Sequence, residues 1–247
     1  MTYVKTVAAR KDVFNPKEII KIRQALTLII GAIVLIHLLK QVRKPTRRTG
    51  RFFVWIMNIS HSRLTDWGLG HVQIEKNFTI LDIGCGGGRT IQKMAAIAAE
   101  GKLCGVDYAD GSVAASRHKN AELINAGRVE IRQASVSELP YPENQFDLVT
   151  AIETQYYWPD LVRDMQEILR VLKPGGTLVV IAENYSGGKY DKVQGPALKL
   201  LKSTALSVNG HRELFSSVGY TDIEIFEERK KGWICATGKK PASVETN

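Results

Sequence analysis

Four glycines in five residues, Gly84, Gly86, Gly87 and Gly88, follow an apolar run and an acid in "TILDIGCGGGRT", Thr79 to Thr90. Such a loop lets the backbone pass close against a ligand, and the spacing limits which ligand. A dinucleotide fingerprint needs G-x-G-x-x-G, yet the sixth position counted from Gly84 is Arg89. A phosphate-binding P-loop needs G-K-[ST], which is absent from this stretch. What remains is D-x-G-x-G-x-G, with Asp82, Gly84, Gly86 and Gly88. An acid two residues before the first glycine repels a pyrophosphate and suits a cation. A second acid, Asp107, follows nineteen residues after Gly88, where a carboxylate at the end of the next strand accepts ribose hydroxyls. The pattern describes a nucleoside that also bears positive charge, as the sulfonium and ammonium of S-adenosylmethionine do.

These residues need a scaffold, and the chain after residue 75 supplies an alternating one. Strand-like runs in "FTILDIG", "GKLCGVDYA", "RVEIRQA", "QFDLVTAIE" and "TLVVIAE" alternate with helical segments in "RTIQKMAAIAAE", "GSVAASRHKNAELINAG" and "PDLVRDMQEILRVLKPGG". That rhythm predicts an α/β fold with a doubly wound, mostly parallel sheet. The last stretch, "GYTDIEIFEERKKGWICATGKK", reads as a C-terminal antiparallel hairpin, giving seven strands in all. "AENYSGGKYDKVQGP", Ala182 to Pro196, is long and glycine-bearing and is expected to act as a mobile lid.

Four blocks, "LDIGCGGGR", "GVDYADGSVAAS", "ASVSELPYPENQFDLVTAIET" and "LRVLKPGGTLVV", stand in an order and spacing that resembles the class I S-adenosylmethionine-dependent methyltransferases, in particular the small-molecule type 11 branch. The resemblance covers about residues 52–240 and implies a Rossmann-like methyltransferase fold. It implies that Asp82, Gly84, Gly86 and Gly88 line the methionyl half of the cofactor, that Asp107 binds the ribose and that Tyr108 packs on adenine. Ser135 stands where the family commonly has Asp reaching the adenine amino group, so the Val136 backbone is expected to share that recognition. Glu153, ending the fourth strand, falls where the transferring methyl group is expected.

Around that point the sequence offers aromatics and few bases. Tyr156, Tyr157 and Trp158 in "ETQYYWPD" would either wall the sulfonium by cation–π attraction or anchor the loop. Methyl transfer is an in-line displacement with a good leaving group, so positioning suffices unless the nucleophile is poorly ionised. Glu153, Tyr157 and His61 are the catalytic candidates, with His211 a weaker base and His71 and His118 structural or exposed. Trp67 reads first as a packing anchor.

The N-terminal region is different in kind. Residues 1–51 hold twelve Lys/Arg against Asp12 and Glu18, net +10, while the remainder holds 22 Lys/Arg and 23 Asp/Glu, net −1. A near-neutral folded domain argues against nucleic acid as partner. "ALTLIIGAIVLIHLL", Ala25 to Leu39, is a fifteen-residue apolar run between basic clusters. As a helix it measures roughly 22 Å at ~1.5 Å per residue, short of a ~30 Å hydrocarbon core, and snorkelling of Arg23 and Lys40 would help close the gap. Residues 1–51 are therefore expected to attach the chain to a membrane through a hydrophobic helix at about 25–39. Residues 52–247 would form the methyltransferase domain on the cytoplasmic face. Proximity then favours a small, lipid-like or hydrophobic acceptor; the alternative is a non-catalytic, tethered S-adenosylmethionine-binding module. Cys85, Cys104 and Cys235 have no metal-site spacing and read as buried, reduced thiols, with no metal expected.

Overall fold

The computed structural model describes residues 62–191 and 204–242. The chain divides into two units, 1–40 and 41–247, and every described residue belongs to the second. The apolar run Ala25–Leu39 and His61 lie outside the described residues. Among the described residues, no helix is long and apolar enough to cross a membrane.

A first helix, α1 (Ser62–Leu69), leads to β1 (Thr79–Ile83), α2 (Arg89–Ile97), β2 (Lys102–Asp107), α3 (Asp110–Lys119), α4 (Ala121–Asn125) and β3 (Val129–Gln133). Then come β4 (Phe146–Ile152), a 3-10 turn (Gln155–Tyr157), α5 (Leu161–Val171) and β5 (Leu172–Ala182). The fold closes with α6 (Val208–Val218), β6 (Thr221–Glu228) and β7 (Trp233–Lys239). The seven strands lie in the order β3-β2-β1-β4-β5-β7-β6. β1 to β5 pair in parallel, and β7 runs antiparallel to both β5 and β6. The expected seven-stranded sheet with its terminal hairpin is present.

Side chains alternate between two cores, as the two-residue period of a strand demands. Leu81, Ile83, Val149, Ala151, Leu178 and Val180 pack with Met165 and Ile168 of α5 and Phe215 of α6 on one face. Ile80, Leu148, Val179 and Ile181 pack with Leu64 of α1, Ile91 and Met94 of α2 and Val113 of α3 on the other. Burying both faces explains why these strands read as continuous apolar runs. Capping sets the helix ends: Asp160 accepts from Arg163 N to start α5, Ser207 accepts from Gly210 N to start α6, and left-handed Gly219 ends α6.

The boundaries differ from expectation in two places. The segment between Gly111 and Gly127 is broken at Asn120 into α3 and α4, because the Asn120 side chain turns inward to bond backbone (below). The helix expected to end at Pro174 stops at Val171, and strand pairing already begins at Leu172. Lys173 to Gly176 then bulge out before pairing resumes at Thr177. All three cysteines are free and buried. Trp67 is a packing anchor, its ring 5.8 Å from Trp233 and 4.9 Å from His71. His71 in turn stacks on Phe226 at 4.1 Å, and His118 is exposed.

Candidate active site

The register between β1 and β2 brings Asp82 level with Gly105 and Ile83 level with Val106, so both strands end together. Gly84 N and Cys85 N both donate to Val106 O, at 2.8 and 3.0 Å, folding the loop back over β2. Gly84, Gly86 and Gly88 have φ of 69°, 50° and 75°, the left-handed region that residues with a Cβ avoid. Two of the three are also enclosed. A Cβ on Gly84 would collide with the Thr154 side chain, and one on Gly88 with Ser116 and Asn120. At Gly86 the nearest atom would be Gly84 O, 3.9 Å away. The backbone is thus packed from behind at its two ends and open in the middle.

Two buried acids flank that opening. Asp82 is 2% exposed, and its Oδ1 accepts from Thr150 Oγ1 at 2.7 Å across the β1–β4 pair. Burial raises its pKa to about 7, opposed by the Thr150 bond and assisted by the charge of Asp107. Asp107 accepts from Ala109 N at 2.9 Å and from Gly86 N at 3.0 Å, and burial lifts its pKa against those bonds. Carboxyls whose ionisation is opposed by desolvation gain from a cation or a pair of hydroxyl donors. A ribose and a sulfonium or ammonium supply those groups, so the residues present fit S-adenosylmethionine.

Among the described residues, the other expected site residues fall on the same end of the sheet. Tyr108 follows Asp107 directly and is 39% exposed. Ser135 is exposed, and its hydroxyl accepts from Ser137 N at 3.2 Å within its own loop. The Val136 side chain lies in the core, which leaves only its backbone for a ligand. Glu153, just past β4, is half-buried at φ 57° and accepts from Tyr156 Oη at 2.9 Å. Tyr156 and Trp158 are buried and anchor the turn, whereas Tyr157 is half-buried, its ring at 79° to that of Tyr156. The first part of the expected lid is pinned: Tyr185 is buried and donates to Glu227 Oε1 at 2.8 Å. The lid residues after Asp191 lie outside the described residues.

The sequence profile of the methyltransferase-domain family matches residues 81–180, the span from Leu81 before the glycine loop to Val180 near the end of β5. Residues 81–180 thus carry a methyltransferase domain. It is of the S-adenosylmethionine-dependent kind. The methyltransferase is 24% identical over 192 residues to the uncharacterized methyltransferase YdaC of Bacillus subtilis (strain 168), covering 76% of this chain and 98% of that one. It is 33% identical over 111 residues to the demethylmenaquinone methyltransferase of Listeria monocytogenes serotype 4a (strain HCC23), covering 44% of this chain and 46% of the relative. The chain therefore spans less than half the length of that second relative. Its fold matches the crystal structure of a SAM dependent methyltransferase from Aquifex aeolicus with a TM-score of 0.64 at 18% identity, over 75% of this chain and 96% of the other.

The glycine loop and the loop after β3 are held by residues that the motifs do not reveal. Ser112, Ser116 and Asn120 recur at four-residue spacing, so they share one face of α3 and its end, and all three are buried. Asn120 Nδ2 donates to Gly88 O and Ser116 O, both at 3.0 Å, and Cys85 Sγ lies 3.8 Å from Ser116 Oγ. On the other side, α5 clamps the loop after β3. Asp164 accepts from Ser137 Oγ at 2.6 Å, Glu167 accepts from Leu139 N at 2.8 Å, and Arg170 donates to Leu139 O and Tyr141 O. The Arg170 guanidinium beside Glu167 holds that carboxyl below its ordinary range.

His211 is buried at 2% exposure and works as a tie. Its Nδ1 lies 2.9 Å from Ser207 O, and its Nε2 lies 3.1 Å from Gln155 Oε1. Burial lowers its pKa and so favours the neutral ring, which links α6 to the 155–157 turn through its contact with Gln155 Oε1. A folded-state pKa below the ordinary value means that this contribution is full above about pH 6.5 and is lost as pH falls toward the depressed value. His211→Leu leaves the buried Gln155 Oε1 without its ring partner and is expected to cost about 1–3 kcal/mol. Denaturant unfolding at pH 7.5 measures that cost, and the decline in stability between pH 6.5 and 5 should become shallower in the variant.

Proposed function

We propose that this methyltransferase passes the methyl group of S-adenosylmethionine to a small hydrophobic acceptor at the cytoplasmic face of a membrane. The observation that carries the cofactor half is the glycine loop, closed at Gly84 and Gly88, open at Gly86 and set between the buried acids Asp82 and Asp107. In this reading Asp82 and the three glycines line the methionyl half, Asp107 accepts the ribose hydroxyls and Tyr108 covers the adenine face. Ser135 and the Val136 backbone meet the adenine amino edge. Glu153 stands beside the sulfonium, with Tyr157 as pocket wall and His61 as candidate base. When bound, the cofactor supplies an activated methyl group and a neutral sulfur leaving group. The protein's part is alignment, which is worth more here than proton transfer unless the acceptor is poorly ionised.

The acceptor half is supported by the apolar run Ala25–Leu39 between basic clusters and by a relative named for a quinone acceptor. Cations on either side of such a run favour anionic membrane surfaces, where hydrophobic acceptors concentrate. The test supplies the full chain with methyl-labelled S-adenosylmethionine, membranes and soluble extract, and then partitions the label. Label in the organic phase is expected. Label confined to water-soluble metabolites or protein removes the hydrophobic acceptor from this reading.

A further inference from the structure

A cavity of about 670 Å³ lies at the opposite end of the sheet from the glycine loop, between the segment that follows α1 and the starts of β4, β5 and β6. Asp147 on its rim stands at the start of β4, whose length at ~3.3 Å per residue separates the two ends by roughly 20 Å. One wall is fixed by His71, stacked on Phe226 at 4.1 Å, and Val72, Phe78 and Ile223 give the cavity apolar surface. On its floor Thr237 pairs with Val179 on one side and Glu224 on the other, so its side chain lies on the face of the sheet that α1 covers. Thr237 is only 5% exposed and lines the cavity, yet its hydroxyl has no hydrogen-bond partner among the described residues. A buried hydroxyl left unpaired is costly, so a donor that reaches it from within the cavity gains.

The charges around this cavity do not balance. Asp147 meets Lys173 at 2.7 Å and Asp222 meets Lys239 at 3.1 Å. Glu75 takes the Gln73 amide alone, and neither it nor Glu224 pairs with a cation among the described residues. Among those residues no three His, Cys, Asp or Glu side chains converge to hold a metal ion. Two unmatched carboxylates, an unpaired hydroxyl and apolar surface between them suit an extended organic cation rich in N–H donors.

We propose that this cavity binds a small organic dication, with an amine or guanidine at each end of a short aliphatic body. One end donates to Glu224 and Thr237 Oγ1, the other donates to Glu75, and the body lies against Phe78 and Ile223. A ligand held there is out of reach of the glycine loop, so it is not a methyl acceptor, and the proposal stands independently of the activity proposed above.

Calorimetry of the full chain at pH 7.5 tests it with agmatine, which joins an amine to a guanidinium, and with 4-guanidinobutyrate, in which a carboxylate replaces the amine. Saturable agmatine binding is expected, about tenfold tighter than that of 4-guanidinobutyrate. Glu224→Gln is expected to weaken agmatine about three- to tenfold. Thr237→Val keeps the branched shape and is expected to weaken it about three- to fivefold without lowering the melting temperature, because the hydroxyl it removes has no partner to lose. Asp82→Asn, at the glycine loop, is expected to leave agmatine affinity unchanged. Absence of saturable agmatine binding, equal affinity for the two probes, or full agmatine affinity in either cavity variant overturns the proposal. Weakening by Asp82→Asn does so too, since it moves the probe to the glycine loop. Should Thr237→Val prove unfolded, Glu224→Gln, on an exposed position of β6, decides by itself.

Discussion

Gly86→Ala is expected to leave the fold close to wild type and to weaken cofactor binding sharply, whereas Gly88→Ala, two residues on, is expected to damage the fold itself. Both glycines have positive φ, 50° and 75°, so each alanine carries a left-handed penalty of roughly 1–2 kcal/mol. The difference lies in what the new methyl group meets. Behind Gly88 stand the Asn120 amide, the Ser116 hydroxyl and the Ser116 Cα, the last at 2.9 Å and part of a helix backbone that cannot step aside. Overpacking there adds about 1–3 kcal/mol, for a total of roughly 2–5. Nothing in the protein lies closer than 3.9 Å to a Cβ on Gly86, so that variant bears only the backbone strain. In the proposed reading that space is the side from which the cofactor approaches. A clash worth about 2–3 kcal/mol would weaken S-adenosylmethionine roughly 30- to 100-fold. Thermal melting paired with ligand titration separates the two; a Gly86→Ala protein that binds normally would place the cofactor elsewhere.

Asp82→Asn should stabilise the ligand-free protein at neutral pH while weakening its hold on S-adenosylmethionine. The folded-state pKa of Asp82 is raised to about 7 from an ordinary 3.8, so the folded protein keeps a proton that the unfolded chain releases. Stability from this group is therefore greatest below about pH 4 and declines as pH rises to 7, beyond which it stays flat. At ~1.36 kcal/mol per tenfold change in proton affinity the full decline is of order 4 kcal/mol. The substituted amide would resemble the protonated acid and retain the bond from Thr150, so the variant escapes that decline. Wild type and variant should unfold alike near pH 4 and diverge by pH 8, with the variant the more stable. Cofactor binding runs the other way. A cationic ligand requires the carboxylate, so wild-type affinity should rise from pH 5.5 to about 7 and then level. In Asp82→Asn it should be weaker and flat over that range. Titrations across that pH series would reveal either behaviour.

What the sequence made legible was whatever it wrote locally. The glycine loop, Asp82 and Asp107 form short patterns at the ends of apolar runs, and each lies where strand-and-helix alternation places it. Residues that act across the fold left no such mark. Ser112, Ser116 and Asn120 look like the solvated face of a helix until α3 is seen to lie behind the loop. Asn120 ends that helix without glycine or proline because its amide is drawn to Gly88 O. Nothing in "AIETQYY" announces that Glu153 adopts positive φ, a conformation usually marked by Gly or Asn. Pro174, Gly175 and Gly176 read as a helix stop, yet β5 pairing precedes them, because proline and glycine also mark a bulge. His211, read as a weak candidate base, became a buried tie to Gln155, a partner 56 residues away in sequence.

The most direct measurement incubates the full-length protein with S-adenosylmethionine and a lipid extract and follows S-adenosylhomocysteine, with Gly86→Ala as the control. A methyltransferase whose cofactor sits over Gly86 forms S-adenosylhomocysteine in step with a methylated acceptor, and the control forms far less at the same cofactor concentration. Tight binding of S-adenosylmethionine with no S-adenosylhomocysteine, from lipid or soluble extract alike, would contradict methyl transfer and leave a binding module.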